Sequence, residues 1–119
     1  MIIDINTGKE KKGMPHSKNF YSWMKALPSI EYDKIVETLN DMIDGDEVHT
    51  AGWMPGSNWI GTVFEPIFLS LGKNEKKAAL FFGLIVYKVF MDREDVWACG
   101  RFELNGKSIG SLTYFRVNI

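Results

Sequence analysis

The chain has 119 residues, which suits one domain, and its 45% hydrophobic and 13% aromatic residues exclude a disordered or low-complexity protein. One cysteine cannot form an internal disulfide, and one cysteine with two histidines cannot complete a zinc finger or ribbon. The net charge of −1 lacks the broad basic excess that dominates nucleic-acid binding.

The charges are unevenly distributed along the chain. Residues 1–27 carry a net charge of +3, residues 28–47 carry −6, and residues 48–119 carry +2. The acidic block is typical of the solvated face of a helix. The longest strongly apolar stretch, residues 78–91, is interrupted by Lys88 and is shorter than the ~20 residues that span a bilayer. With no basic segment at its start, the chain is predicted to be soluble and cytoplasmic, without a membrane partner.

Residues 1–119 are predicted to form a single domain, because no linker is long enough to divide them. Residues 1–16 are expected to be a weakly ordered N-terminal segment, apart from a short edge strand over Met1–Ile5. Ser17 can cap a short helix that ends near Leu27, because Pro28 disfavours helical geometry in the residue before it.

A longer amphipathic helix is predicted over residues 29–43. Ser29 is a suitable N-cap, and Glu31 and Asp33 lie where the helix dipole favours negative charge. Apolar residues recur every three or four positions and form one face: Tyr32, Ile35, Val36, Leu39, Met42 and Ile43. Gly45 suits a left-handed cap at the end of this helix.

A short strand over residues 47–51 leads into an irregular segment that is rich in glycine and yet carries two tryptophans. Apolar loops are uncommon, because loops normally run over a wet surface. Aromatic side chains give a large contact area at low entropic cost, so four residues are candidates for binding a partner or ligand: Trp53, Met54, Asn58 and Trp59. The alternative is a loop that folds its tryptophans onto the core.

The next helix is predicted over residues 62–71. Thr62 and Glu65 fit a capping box, in which each side chain bonds a backbone N–H near the other residue. The buried stripe of this helix is expected to contain Phe64, Ile67, Phe68 and Leu71. Gly72 is expected to end it.

Asn74 is predicted to cap a helix over residues 75–91, which is apolar nearly all round and therefore central in a core or buried against a partner. Gly83 in its middle costs about 1 kcal/mol relative to alanine, which favours a close contact there. The side that carries Phe81 and Leu84 is an oligomer or partner interface if it is exposed, and part of the core if the hairpin covers it.

Asn105-Gly106 predicts a type I′ hairpin over residues 95–117. A two-residue turn pairs Leu104 with Lys107, Ala98 with Thr113, Val96 with Phe115, and Trp97 with Tyr114. One face is expected to meet the helices: Val96, Ala98, Phe102, Ile109, Phe115 and Val117. The opposite face is expected to be half exposed, and its rings and arginines form a second candidate binding site: Trp97, Arg101, Tyr114 and Arg116. The alternative is a ring pair that only stabilises the hairpin.

Catalytic signals are weak. The chain has no glycine-rich phosphate loop, dinucleotide fingerprint, metalloprotease helix, nucleophile elbow or paired-cysteine motif, so we expect no metal, no cofactor and no catalytic residue. His49, Glu65 and Cys99 each have a simple structural role available to them. A pocket under the tryptophan loop in which they converge with Arg101 would instead indicate an enzyme or a small-ligand protein.

The predicted fold class is α+β, with three to four helices packed on a C-terminal antiparallel β-hairpin and one or two short extra strands. The element order over residues 29–117 resembles the winged-helix DNA-binding plan of helix, strand, helix, helix and two-stranded wing. This resemblance implies a recognition helix at residues 75–91 and a wing tip at residues 105–107. A recognition helix needs polar and basic side chains, and few are available here: Glu75, Lys76, Lys77 and Lys88.

The leading hypothesis is therefore a small non-enzymatic binding or regulatory protein that recognises a protein partner, or a second copy of itself, through the aromatic loop or through the exposed face of the hairpin. A winged-helix-like DNA-binding regulator and a small-ligand protein or enzyme are the alternatives.

Overall fold

The computed structural model describes residues 1–4, 7–45, 48–50, 59–100, 103–104, 107–108 and 113–117. Within these residues it contains four helices and six short strands, which confirms the predicted α+β class. The elements in chain order are β1 (Ile2–Asp4), α1 (Ser17–Met24), α2 (Ser29–Gly45), β2 (Val48–Thr50), α3 (Glu65–Ser70), α4 (Glu75–Asp92), β3 (Trp97–Gly100), β4 (Glu103–Leu104), β5 (Lys107–Ser108) and β6 (Thr113–Arg116). None of the helices in these ranges combines the length and hydropathy that a bilayer span requires.

The four-stranded sheet has the order β1-β3-β6-β2. β1 runs parallel to β3, whereas β6 is antiparallel to both β3 and β2. The edge strand predicted at the start of the chain is confirmed, and its Ile2 is fully buried. The strand predicted over residues 47–51 forms as β2 at the opposite edge. Because β2 pairs with β6, the chain segments 48–50 and 113–116 lie side by side although more than sixty residues separate them.

Helix α4 occupies the centre of the core, as its all-round hydrophobicity predicts. Nine of its residues are buried: Ala78, Phe81, Phe82, Leu84, Ile85, Val86, Tyr87, Val89 and Phe90. The side that carries Phe81 is covered by α1 rather than by the hairpin, with Phe20 and Trp23 packed on the Phe81 ring at centroid distances of 6.1 and 5.7 Å. The close contact expected at Gly83 is absent, because a methyl group built there meets no described atom within 4 Å.

The amphipathic pattern of α2 is confirmed. Ile35, Leu39 and Ile43 are buried, while the other three members of the predicted face pack against the core from its edge. The helix continues through Gly45, so the expected left-handed cap at that glycine is wrong. Backbone N–H groups of its first turn donate to the Pro28 carbonyl, which places Ser29 inside the helix rather than at its cap.

The ends of the other helices are confirmed in part. Asn74 caps α4, since its Oδ1 accepts the Lys77 N–H at 3.1 Å, and Gly72 ends the preceding helical segment with a φ of 67°. At α1 the prediction is wrong, because the N-cap is His16, which makes no side-chain cap bond, and the helix ends at Met24 rather than near Leu27.

The capping box at α3 forms in a shifted pattern. The Thr62 hydroxyl accepts the Phe64 N–H at 3.2 Å and donates to the Trp59 carbonyl at 2.7 Å, while a Glu65 carboxylate oxygen accepts the Gly61 N–H at 2.9 Å. The helix therefore begins at Glu65, three residues later than predicted. The predicted buried stripe is confirmed, with Phe64 and Ile67 buried and the other two members partly buried.

The hairpin register is confirmed near the turn and wrong further out. Leu104 pairs with Lys107 as predicted, whereas Ala98 pairs with Phe115 rather than with Thr113. The intervening segment 101–102 has two residues and the segment 109–112 has four. This difference of two residues accounts for the shift, which also breaks the predicted Trp97–Tyr114 pairing: Trp97 pairs with Arg116, and Tyr114 with Cys99.

Candidate functional site

The half-exposed ring face predicted for the hairpin is in fact the buried face of the sheet. Trp97 and Tyr114 have no solvent exposure. Phe90 of α4 stacks on Tyr114 at a centroid distance of 4.0 Å and meets Trp97 edge-on at 4.9 Å. The charged residues near the end of the hairpin predicted a solvent-exposed face. The free energy gained by burying two large rings is greater than the preference of those charges for solvent. A role for these two rings in contacting a partner is thus unsupported.

His49 belongs to the same buried layer. Its ring lies 5.8 Å from the ring of Trp97 and 6.1 Å from that of Phe90, and its Nε2–H donates to the Ile43 carbonyl at 3.3 Å. This bond ties the edge strand β2 to the last turns of α2. The position of His49 is explained by packing between a helix and a sheet.

His49 and Cys99 face the same side of the sheet but are not neighbours. Tyr114 pairs with both residues and therefore stands between them. Two strand spacings amount to about 10 Å, which is too far for direct activation of a thiol. Burial also raises the pKa of the Cys99 thiol, which disfavours the reactive thiolate. The geometry therefore does not bring these two groups together as a catalytic pair.

Glu65 lies apart from that layer, at the start of α3, where its carboxylate is engaged by the Gly61 N–H. Of the predicted loop residues, Trp59 is half-buried and packs edge-on against Phe82 at 5.7 Å. Arg116 is exposed at the end of β6. Four predicted site residues lie outside the described residues: Trp53, Met54, Asn58 and Arg101.

Two large apolar side chains are exposed at the two ends of the segment 60–69, one before α3 and one in its last turn. Ile60 is 66% exposed and Leu69 is 50% exposed. Glu65 and Leu69 are four residues apart on one helix and share a face, and Glu65 is bonded to the residue after Ile60. Ile60 and Leu69 are thus both neighbours of Glu65, one along the chain and one along the helix, and we refer to the two exposed side chains together as the Ile60–Leu69 surface.

A second polar centre, which the sequence analysis did not single out, surrounds Arg93. Its Nε and Nη2 atoms donate to the two carboxylate oxygens of Asp95 at 2.9 and 2.8 Å, and Nη1 donates to the Asn40 side chain at 2.8 Å. Nη2 also donates to Asp44 at 2.6 Å. Arg93 thus joins the end of α4 to the acidic side of α2.

This ion-pair network explains the direction of two pKa values. Hydrogen bonds from Arg93 hold the pKa of Asp95 below its ordinary value. The hydrogen bond to Asp95, with a further one to Asp44, raises the pKa of Arg93 above its ordinary value. Among the described residues, these hydrogen bonds connect α2 to the segment that follows α4, which gives the network a structural role.

A groove of about 400 Å³ lies beside the Arg93 network, between α2 and the end of α4. Tyr32, Val36 and Val89 form its apolar part, and Asp33, Asp92 and Glu94 supply carboxylates at its margin. Burial, followed by the negative charges of Asp92 and Asp33, raises the pKa of the Tyr32 hydroxyl. The α2 wall of the groove belongs to the acidic block of residues 28–47. The sequence signal for this groove was therefore the row of acidic residues beside the apolar face of α2.

Metal ligands do not cluster in the described part of the chain, where no group of three or more histidine, cysteine or acidic side chains could hold an ion. Scans against protein-family models, curated proteins and solved structures found no match to this chain. The functional assignment therefore rests on the geometry of the chain itself.

Proposed function

We propose that the chain is a small non-enzymatic binding or regulatory protein of the cytoplasm that binds a protein partner, or a second copy of itself, through the Ile60–Leu69 surface and the adjoining loop. One observation carries the proposal: two large aliphatic side chains that both neighbour Glu65 are exposed, Ile60 before α3 and Leu69 in its last turn. Apolar anchors that are grouped in this way are typical of protein-binding sites, whereas single scattered ones are ordinary.

The local structure supports a preformed surface. Trp59 is fixed against Phe82 in the core, and the bond from Gly61 to Glu65 holds the backbone between Trp59 and α3. A surface held in place before binding loses less conformational entropy on association, which favours affinity.

The two alternatives find less support. DNA recognition would use α4, but nine of its residues are buried, and its exposed residues are confined to its first turns and its last residue. A pocket enzyme would need His49, Glu65 and Cys99 together, but Tyr114 separates His49 from Cys99, and Glu65 is bonded at the start of another helix.

Site-specific photocrosslinking tests the proposal. A benzoylphenylalanine at position 69 is compared with one at position 21, where Tyr21 is 59% exposed on α1 and supplies a matched apolar control. We expect position 69 to crosslink in cells to one protein, or to a second copy of this chain, that also binds when both are purified. Equal crosslinking from the two positions, or none from position 69, would contradict the proposal.

A further inference from the structure

The groove between α2 and the end of α4 is a separate feature from the Ile60–Leu69 surface, and the inference drawn from it is independent of the proposed function. It is an open depression of about 400 Å³. Its apolar part combines the half-buried Tyr32 ring with two valines, so it can receive the aliphatic stem of a long side chain.

The charges around the groove select the kind of occupant. Asp33 and Glu94 are exposed and form no ion pair with the described residues, so their carboxylates are available to an incoming group. Asp92 already pairs with Lys88 at 2.8 Å. Arg93 also lines the groove, but its positive charge is compensated by Asp95 and Asp44. The negative charge at the margin is therefore only partly neutralised by the chain itself.

We propose that this groove binds an arginine or lysine side chain presented by a protein partner, with the stem against Tyr32, Val36 and Val89 and the charged group at Asp33 and Glu94. Apolar side chains beside exposed carboxylates suit such a side chain, because the stem can pack on the apolar residues while the carboxylates accept hydrogen bonds from the charged group. The net charge of −6 over residues 28–47 also speeds the approach of a basic partner.

An NMR titration with a hexa-arginine peptide tests this inference, and hexaglutamate serves as the opposite-charge peptide. We expect amide shifts on addition of hexa-arginine to concentrate at residues 32–40 and 89–94. The double variant D33N/E94Q should bind the peptide about fivefold more weakly or worse, because two exposed carboxylates are lost.

The matched control is E75Q, which removes the same kind of charge at the opposite end of α4. That end lies about 25 Å from Asp92, given the rise of 1.5 Å per helical residue. We expect E75Q to bind hexa-arginine as the unmodified chain does. Shifts spread evenly over the acidic residues, or equal affinity in D33N/E94Q and the unmodified chain, would show non-specific attraction only and overturn the inference.

Discussion

Two regions of the molecule carry conspicuous apolar side chains, and they use them in opposite ways. At the buried face of the sheet, Trp97 and Tyr114 are fully enclosed around Phe90. Around α3, Ile60 and Leu69 keep half or more of their surface exposed although they are smaller. Ring size is therefore a poor guide to exposure in this protein, because the largest rings are enclosed in the core while two aliphatic side chains are exposed.

The largest expected effect lies at the centre of the buried layer. Replacing Phe90 with alanine removes the ring that contacts Trp97, Tyr114 and His49. We expect the free energy of unfolding to fall by about 3–5 kcal/mol, as for other phenylalanines removed from a core. Urea unfolding followed by tryptophan fluorescence measures it.

The matched change on the other side of the comparison is Leu69→Ala. Because Leu69 is half exposed, we expect a loss of at most about 0.5 kcal/mol. Similar losses for Phe90→Ala and Leu69→Ala would show that the two regions do not differ as the packing indicates.

The next effect concerns the Arg93 network. Arg93→Ala leaves Asp95 without its paired cation and breaks the links to Asn40 and Asp44, so we expect a loss of about 2–3 kcal/mol. Lys88→Ala breaks an ion pair four residues apart on the same helix, and should cost about 0.5 kcal/mol or less. Thermal or urea unfolding of both variants measures these losses. Equal losses of unfolding free energy in the two variants would contradict a structural role for the network.

The same network predicts a dependence of the unfolding free energy on acidic pH, to which Asp95 contributes one part. Since the folded pKa of Asp95 is lowered by Arg93, its contribution to stability is complete above the unfolded value of about 3.9. It is lost as pH falls from that value through the lower folded pKa. We expect Asp95→Asn to reduce the pH dependence of the unfolding free energy below about pH 4, and an unchanged slope would contradict the ion pair.

One substitution is expected to increase stability. A methyl group at Gly83 meets no described atom, and the residue lies inside α4 with helical neighbours. Gly83→Ala should therefore stabilise the protein by about 0.5–1 kcal/mol through higher helix propensity. A rise in the urea midpoint confirms it, whereas a loss of stability would indicate that this face of α4 is closely packed.

Periodicity predicted the helices well, because the free energy of burying an apolar stripe depends on spacing that the sequence displays directly. It predicted the buried stripe of α2 and the central position of α4. The cap at Asn74 was predicted from the preference for asparagine at a helix N-cap. Turn chemistry also predicted the pairing of Leu104 with Lys107. These features depend on residues close together in the chain.

The features that the sequence missed depend on contacts between distant segments. Nothing local shows that Phe90 draws Trp97 and Tyr114 inward, so the prediction that their face is half exposed was wrong, whereas the predicted burial of Val96 and Ala98 is confirmed. The Arg93 network likewise joins residues about fifty positions apart. Among the predicted site residues, Trp59 lies next to the proposed surface, while the aliphatic pair was missed because exposure cannot be read from residue type.

The most direct test of the central claim is the dissociation constant of the crosslinked partner for the double variant I60N/L69N, measured with purified proteins. We predict an affinity at least tenfold weaker, because hot-spot side chains each contribute about 1–2 kcal/mol or more to binding, with a free energy of unfolding close to that of the unmodified chain. The variant Y21N, equally exposed on α1, should bind normally. An unchanged dissociation constant for I60N/L69N, with the fold intact, would contradict the claim that the Ile60–Leu69 surface binds the partner.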